Sequence, residues 1–250
     1  MKSANDTLKV VITRPLEQAR TLAKKLQSLN IAPVVFPAIE IIPLDKTRQQ
    51  WVDLKTVDMM IFISVNAVKY GQNHIDFNLL KSLPIKIIAM GAATARALQA
   101  AGLKLSVSPS PPFTSEHLLE QLGVLDLSKK HIVIVRGQGG REYLAEQLRQ
   151  QGAELNYIEV YKRQRPKADM CAMLVQHPDV IVITSNEALQ TIYDMTPSRQ
   201  REALLNCALI VISNRAVTLA KTLGFMNTIH LATGADDEAI ISLLKQWRKL

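Results

Sequence analysis

The segment with the clearest chemical character is a glycine-rich turn, Arg-Gly-Gln-Gly-Gly-Arg-Glu, from Arg136 to Glu142. It lies between an aliphatic run and a helical pattern, and such turns present backbone N–H groups and a helix N-terminus to anions. Its Gly-x-Gly-Gly spacing fits neither the dinucleotide-binding fingerprint nor a P-loop. The sequence therefore leaves two interpretations open at Arg136 and Gly137: an anion site, or a tight turn without a ligand.

Hydroxyl side chains follow two other aliphatic runs. Ser64 comes just before Asn66 and Ala67, and Ser185 directly follows Thr184. These hydroxyls suit helix N-caps. They also suit ligand binding, because open α/β sheets bind ligands at the carboxyl ends of their strands. Both roles stay open from the sequence alone.

Tyr161 is the candidate proton donor. It lies in an extended-looking segment with period-two alternation and is followed by Lys162 and Arg163. A tyrosine hydroxyl can protonate a leaving group, and the adjacent cations favour bound anions. The alternative is an ordinary strand tyrosine.

No pattern for a metal or a covalent nucleophile accompanies these residues. The five histidines lack ligand spacing to one another or to Cys171 and Cys207, and no Gly-x-Ser-x-Gly elbow occurs. Two cysteines form no disulfide framework, which predicts a reducing cytosol. Neither a signal peptide nor a run of roughly 20 apolar residues is found, so no membrane span is expected.

The net charge of +8 and the pI of about 9.5 attract anions, which leaves nucleic acid, acidic membranes and polycarboxylate ligands open as partners, and basicity alone does not choose among them or require any of them. The basic residues are dispersed in pairs such as Lys24-Lys25, and no nucleic-acid-binding motif accompanies them. Nucleic acid is therefore not an expected partner.

The elements that must position these residues alternate along the chain. Short aliphatic runs are separated by helical patterns, which predicts parallel sheets covered by helices. A chain that is 48% hydrophobic but only 5% aromatic suits the aliphatic strands of an α/β fold. The runs are 10–13, 34–36, 59–63, 85–90, 132–135, 180–184 and 209–212.

The order of these elements occurs twice. Arg136 follows Arg14 by 122 residues, and the same offset relates Leu26 to Leu148, Gly102 to Gly224 and Glu116 to Glu238. The repeat covers 9–121 and 131–243, and taken alone it predicts two lobes with those bounds.

In their order and spacing, these motifs resemble the uroporphyrinogen-III synthase family over nearly the whole chain. Each motif is weak alone. The segments that carry the resemblance are 11–15 with Gln18-Ala19, 39–41, 64–68, 91–95, 114–119, 136–141, Val160-Tyr161, Thr184-Ser185 and 223–225.

The resemblance implies an α/β fold with two parallel-sheet, flavodoxin- or Rossmann-like lobes. A two-stranded connector joins them, with a cleft between the lobes. One lobe would be residues 1–35 with 165–250, and the other 45–154. The connectors would be 36–44 and 155–164.

The resemblance also implies the reaction. Hydroxymethylbilane, a linear tetrapyrrole with eight carboxylates, loses its hydroxyl as water and closes to uroporphyrinogen III with inversion of the last pyrrole ring. No cofactor or metal is implied. The expected protein is a cytoplasmic monomer without nucleic-acid or membrane partners, and hydroxymethylbilane synthase is the expected source of the substrate.

By the same resemblance, Tyr161 is the candidate general acid. The expected substrate-binding residues are Thr13, Arg14, Ser64, Asn66, Ala67, Gly91, Thr94, Arg136, Gly137, Ser185 and Ser213.

One turn departs from the family pattern Ile-Gly-x-x-Thr-Ala. The chain has Ile-Ser-Asn-Arg-Ala-Val at 212–217, with Ser213 in place of the glycine and Ala216 in place of the threonine. This departure keeps a second function open: a non-catalytic, two-lobed cytosolic binding protein or sensor for a small polyanionic ligand.

Overall fold

Strands and helices alternate along the residues that the computed structural model describes, which are 7–45, 52–107, 110–111, 113–123, 125–140 and 142–247. The strands are β1 Lys9–Ile12, β2 Ala32–Val35, β3 Glu40–Pro43, β4 Met59–Phe62, β5 Lys86–Ala89, β6 His131–Gly137, β7 Glu154–Gln164, β8 Val180–Ile183, β9 Ala208–Val211 and β10 Ile229–Leu231. The helices are α1 Leu16–Gln27, α2 Val65–Gly71, α3 Phe77–Ser82, α4 Ala92–Ala100, α5 Ser115–Leu122, α6 Tyr143–Gln150, α7 Met170–Leu174, α8 Asn186–Met195, α9 Arg201–Leu205, α10 Asn214–Leu223 and α11 Asp237–Trp247. Arg141, in the glycine-rich turn, lies outside the described residues.

The first sheet has the strand order β10-β9-β8-β1-β2, and all of its neighbouring pairs are parallel. Its central strands are aliphatic because both faces of the sheet are buried in hydrophobic cores. Alternate residues pack into different cores: Val11 into one, Val10 and Ile12 into the other.

The second sheet has the order β3-β7-β6-β4-β5, and β7, β6, β4 and β5 pair in parallel. A further parallel bridge joins Ile88 of β5 to Val107. At the other edge, the Leu44 N–H donates to the Val160 carbonyl at 3.1 Å. The segments 36–44 and 155–164, predicted as extended connectors, contain β3 and nearly all of β7. The predicted α/β class with two largely parallel sheets is confirmed.

Each sheet takes strands from both halves of the sequence repeat. β1 and β2 come from the first half but pair with β8–β10 of the second, while β6 and β7 join β4 and β5. The lobes 9–121 and 131–243, predicted from the repeat alone, are therefore wrong. Because the exchanged strands are equivalent, β9-β8-β1-β2 and β5-β4-β6-β7 have the same order, and the similarity between the two halves of the chain cannot by itself reveal the exchange.

The chain divides into two compact units. The first unit is Met1–Glu40 with Gln164–Leu250, and the second is Ile41–Arg163. Each has a hydrophobic core on both faces of its sheet. Among the described residues, no helix has the length and apolarity needed to cross a membrane.

Candidate active site

The residues predicted from the sequence collect at the carboxyl edge of each sheet, because parallel strands end on the same side. In the first unit, Thr13 and Arg14 follow β1, Ser185 follows β8 and Ser213 follows β9. In the second unit, the edge carries Ser64, Asn66, Ala67, Gly91, Thr94, Arg136, Gly137 and Tyr161. β1, β8 and β9 are neighbours in the first sheet, as are β4, β5, β6 and β7 in the second.

All three predicted serines are helix N-caps. Ser64 Oγ accepts from the Ala67 N–H at 3.1 Å, and Ser185 and Ser213 make the same bond three residues onward at 3.0 and 3.2 Å. Ser213, which stands where the family pattern has glycine, thus supplies a side-chain cap. Gly91 begins α4 without one. Each cap leaves the earlier N–H groups of its helix without intrahelical partners.

The hydroxyl of Tyr161 lies 3.1 Å from Ser64 Oγ. Tyr161 is only 1% exposed and belongs to the core beneath the second sheet, whereas Ser64 is half-buried. The pairing register shifts here, from Arg136 opposite Glu159 to Gly137 opposite Tyr161. Val160 is the extra residue of a β-bulge, and bulges change the direction of the side chains that follow.

Gly137 provides the space that the Tyr161 ring occupies. A Cβ built on Gly137 would lie 2.5 Å from Cζ and 3.0 Å from Cδ2 of that ring. Carbon atoms without a bond between them do not approach this closely, since contact lies at about 3.5–4.0 Å. Gly137, predicted to bind substrate, therefore also positions the tyrosine.

Arg136 is held within the second unit by an acidic and an aromatic side chain. Its Nη1 donates to Glu142 Oε1 at 2.8 Å, and its guanidinium lies 4.5 Å from the centre of the Tyr157 ring. The Tyr157 hydroxyl donates to the other oxygen of Glu142. Together, the Tyr157 and Arg136 hydrogen bonds lower the pKa of Glu142. Burial and the Glu142 hydrogen bond raise the pKa of Tyr157.

Arg14 has a carboxylate partner in the first unit. Its Nη1 donates to Asp237 Oδ1 at 2.5 Å, and its Nη2 donates to the Ala235 carbonyl. Lys25 lies 2.9 Å from the other oxygen of Asp237. Burial raises the pKa of Asp237, but the hydrogen bonds from Lys25 and Arg14 outweigh it and lower the pKa overall.

Some of the predicted residues are buried, or have polar groups that are already hydrogen-bonded inside the protein. Thr13 is 1% exposed, and its hydroxyl donates to the Val182 carbonyl at 2.7 Å. Thr94 is 5% exposed, and the Ala67 N–H is taken by Ser64. A direct substrate contact through these groups stays a prediction.

Comparison with known proteins identifies the family of the chain. The family model described as "Uroporphyrinogen-III synthase HemD" matches residues 20–242. The uroporphyrinogen-III synthase of Escherichia coli K12 is 32% identical over 248 residues, covering 95% of this chain and 100% of that protein. The Salmonella typhimurium LT2 enzyme is 30% identical over 249 residues, with the same coverage. The chain belongs to the uroporphyrinogen-III synthase family.

Solved structures of uroporphyrinogen-III synthases have the same fold. The Helicobacter pylori structure superposes with a TM-score of 0.66 at 15% identity, covering 96% of this chain and 100% of that one. A mutant Thermus thermophilus structure gives 0.64 at 16% identity, with coverages of 98% and 100%. At these identities, the likeness concerns the fold alone.

In this uroporphyrinogen-III synthase family member, sequence analysis did not identify the side chains that orient Arg136. Tyr157 and Glu142 perform that task, and neither was a predicted site residue. The repeat gives no equivalent of these partners in the first unit. Asp237, which binds Arg14, stands 122 residues after Ser115, the first residue of α5.

Proposed function

We propose that this chain is a uroporphyrinogen-III synthase. It takes hydroxymethylbilane, removes the terminal hydroxyl as water, and closes the macrocycle with the last pyrrole ring inverted. The observation that carries the proposal is the end-to-end match to curated synthases, 32% identical with 95% and 100% coverage. That match favours the enzyme over the polyanion-binding protein or sensor.

The chemistry of the two sheet edges suits a substrate with eight carboxylates. Capped helix N-termini at Ser64, Ser185 and Ser213 present unpaired N–H groups to anions. The net charge of +8 adds a long-range attraction. Holding a flexible chain so that its two ends meet lowers the entropy cost of closure, which is where most of the acceleration originates.

Tyr161 is the proposed proton source, and Ser64 is the group that delivers the proton. A serine hydroxyl has two acceptor lone pairs and one hydrogen. The Ala67 N–H uses one lone pair, and the Tyr161 hydroxyl lies 3.1 Å away. In the proposed relay the Tyr161 hydroxyl donates to the other lone pair, so the Ser64 hydrogen remains for the substrate. Because Tyr161 is 1% exposed and Ser64 is half-buried, the serine is the member of the pair that meets the leaving hydroxyl.

The proton and electron movements balance. Ser64 O–H protonates the leaving hydroxyl and regains a proton from Tyr161. The carbon–oxygen bond breaks, the pyrrole nitrogen supplies the electron pair that forms the azafulvenium cation, and water departs. Ring closure later releases the proton that restores Tyr161.

The enzyme proposal predicts the isomer that the chain makes. With enzymatically generated hydroxymethylbilane, we expect type III uroporphyrin to dominate after oxidation and chromatography. Without protein, the linear tetrapyrrole closes spontaneously to type I. If a folded sample gives only type I, the polyanion-binding alternative replaces the enzyme.

The proton relay predicts that Ser64→Ala and Tyr161→Phe slow the reaction alike. General acids contribute about 10²–10⁴-fold, and azafulvene forms easily, so we expect a loss in kcat of about a hundredfold or less. The double variant should be no slower than either single one. Steady-state kinetics on all three variants checks this.

Ser64→Ala also removes a helix cap, so a control must remove a cap elsewhere. Asp76 caps α3 in the same unit through bonds to the Asn78 and Leu79 N–H groups. Asp76→Ala should cost about 1 kcal/mol of stability and leave kcat unchanged. Additive losses in the double variant would contradict the relay.

The remaining expectations concern the setting of the reaction. We propose that the chain acts in the cytoplasm as a monomer. We also propose that the reactive substrate passes to it directly from hydroxymethylbilane synthase, because free hydroxymethylbilane closes spontaneously.

A further inference from the structure

A cavity of about 310 Å³ opens at the carboxyl edge of the second sheet. Most of its wall is apolar, with Ile63 after β4, Ile134 of β6 and Leu144 of α6. Ile63 directly precedes Ser64, so the cavity wall and the proposed proton donor are adjacent in the chain. Ligand pockets usually measure about 300–1,000 Å³, so this cavity suits a single small ring.

The charges of the wall favour a cation over a carboxylate. The buried Arg136 is already paired, because its Nη1 lies 2.8 Å from Glu142 and its Nε lies 3.7 Å from Glu159. The other charged lining residue, Glu116 of α5, forms no ion pair with any residue that the structure describes. A carboxylate without a paired cation, next to an arginine that is already neutralised, attracts positive charge and repels negative charge.

An aromatic ring forms part of the same wall. Phe113 lines the cavity, yet it is 46% exposed, so part of its ring surface is open to a ligand. The ring packs over Gly91, since a Cβ built on that glycine would lie 3.6–3.9 Å from the nearest Phe113 atoms. The face of an aromatic ring carries negative charge and attracts a cation within about 6 Å of its centre. Phe113 and Glu116 therefore give the cavity the same preference.

The chain on both sides of Phe113 is fixed to α5. Before the ring, Ser110 Oγ lies 2.8 Å from His117 Nε2 and accepts from Gln121 Nε2 at 2.8 Å. After the ring, Thr114 Oγ1 accepts from the His117 N–H at 3.2 Å. These bonds restrict where the ring lies, and a cation–π contact needs such restriction because the charge must meet the face of the ring.

We infer that this cavity holds the pyrrole ring that loses its hydroxyl, and that Phe113 and Glu116 stabilise the azafulvenium cation formed there. The inference rests on the proposed function for the identity of the cation. When Ser64 protonates the hydroxyl, water leaves and the electron pair of the ring nitrogen moves into the new double bond. The nitrogen and the methylene carbon then share the positive charge. The apolar wall keeps water from that carbon, where addition of water and loss of a proton would re-form the substrate.

Stable five-membered rings test the preference of the cavity without any turnover. The cation is 1,3-dimethylimidazolium, its neutral isostere is 1,3-dimethylpyrrole, and the anion is cyclopentylacetate. NMR titration of the intact chain follows the amide signals of Ser115 and Glu116. We expect the cation to bind about 2- to 30-fold more tightly than the neutral ring, and the anion to bind most weakly.

Two glutamate variants separate the carboxylate of the cavity from the general surface charge. Glu146 is an exposed residue of α6 in the same unit and is not among the residues that line the cavity. Glu116→Gln should weaken the binding of imidazolium and leave the affinity for the neutral ring unchanged. Glu146→Gln, which removes the same charge, should change neither affinity.

Fluorinated phenylalanines at position 113 test the aromatic contribution. One, two or three ring fluorines remove negative charge from the face of the ring stepwise and nearly keep its shape. The affinity for imidazolium and the kcat with hydroxymethylbilane should both fall with each fluorine, by about 2- to 30-fold at three. The same series at Phe77, whose buried ring packs edge-on against Phe62, is the control and should change neither quantity.

A purely structural role for Phe113 would leave both quantities flat along the fluorine series, because the shape of the ring is kept. A flat series in either quantity overturns the inference, and so does an anion that binds as tightly as the cation. The isomer of the product tests the synthase proposal separately. If imidazolium prefers the cavity but the wild-type chain yields only type I product, the cation site stands and the synthase proposal falls.

Discussion

Asp237→Ala is expected to destabilise the first unit by about 3–5 kcal/mol, the usual cost of removing one partner from a buried ion pair. The side chain of Arg14 is 6% exposed and that of Asp237 13%, so water has little access to the guanidinium that loses its carboxylate. Lys25 also binds Asp237, so the substitution leaves two cations close together without their shared anion.

Urea unfolding followed by Trp247 fluorescence measures this effect in the unit concerned. Trp247 ends α11, the helix that Asp237 begins. The other tryptophan, Trp51, lies outside the described residues and is replaced by phenylalanine in all samples. Glu238→Ala is the matched control, because its carboxylate is 76% exposed and its ion pair with Lys25 lies at the surface. We expect little or no change from it.

The stabilisation that Asp237 provides should be lost at low pH. Its pKa is lowered in the folded chain, so the unfolded chain takes up a proton first as the pH falls. The stabilisation is present above about pH 3.9, the ordinary aspartate pKa, and is lost as the pH falls through the folded value. The free-energy difference between wild type and Asp237→Ala should therefore be constant from about pH 8 to about pH 5 and shrink below about pH 4. A difference that stays constant in acid would exclude the ion pair as its source.

The architecture was predictable because its signals are local. Aliphatic runs such as Val180–Ile183 are buried on both faces, and the hydroxyls of Ser64 and Ser185 directly precede helices and cap them. These patterns depend on neighbours within a few residues. The exchange of β1 with β6 was not predictable from the repeat, because either strand completes the same sheet order.

For the candidate site, the sequence offers a list of residues that stays a prediction, and the contacts of those residues were not predictable. Arg14 and Arg136 occupy equivalent positions, yet Arg14 meets a partner 223 residues away and Arg136 meets one 6 residues away. Strand alternation also failed near Tyr161, because the bulge at Val160 puts two consecutive residues into the core. The Arg14 contact and the bulge depend on packing between distant parts of the chain, which a single sequence does not record.

Gly137→Ala is expected to reduce activity at least as much as Tyr161→Phe does. The new methyl group would lie 2.5 Å from Cζ of Tyr161, and this ring is buried at 1% exposure, so it cannot rotate out without displacing its neighbours. A movement of the ring that relieves the collision is expected to lengthen the 3.1 Å contact between the Tyr161 hydroxyl and Ser64 Oγ. Inserting a methyl group into a packed core typically costs about 1–3 kcal/mol, so the second unit should also lose stability.

Gly71→Ala is the control for adding a methyl group at a buried glycine of the same unit. Its Cβ would meet the nearest side chains at 3.5–3.9 Å, which is ordinary contact. Thermal unfolding and kcat should both stay near wild type for this variant. Full activity and unchanged stability in Gly137→Ala would mean that the ring has room that the structure does not show.

A double-variant cycle separates the two roles of Gly137. If the glycine acts by making room for the tyrosine ring, Gly137→Ala should cost little stability and little further activity in a Tyr161→Leu background, because the atoms that collide are gone. If Gly137 instead contacts the substrate through its backbone, the methyl group should raise KM equally in both backgrounds. Coupling of about 0.5–3 kcal/mol is the usual range for residues in contact. The structure predicts strong coupling, because Gly137 and Tyr161 are paired directly across β6 and β7.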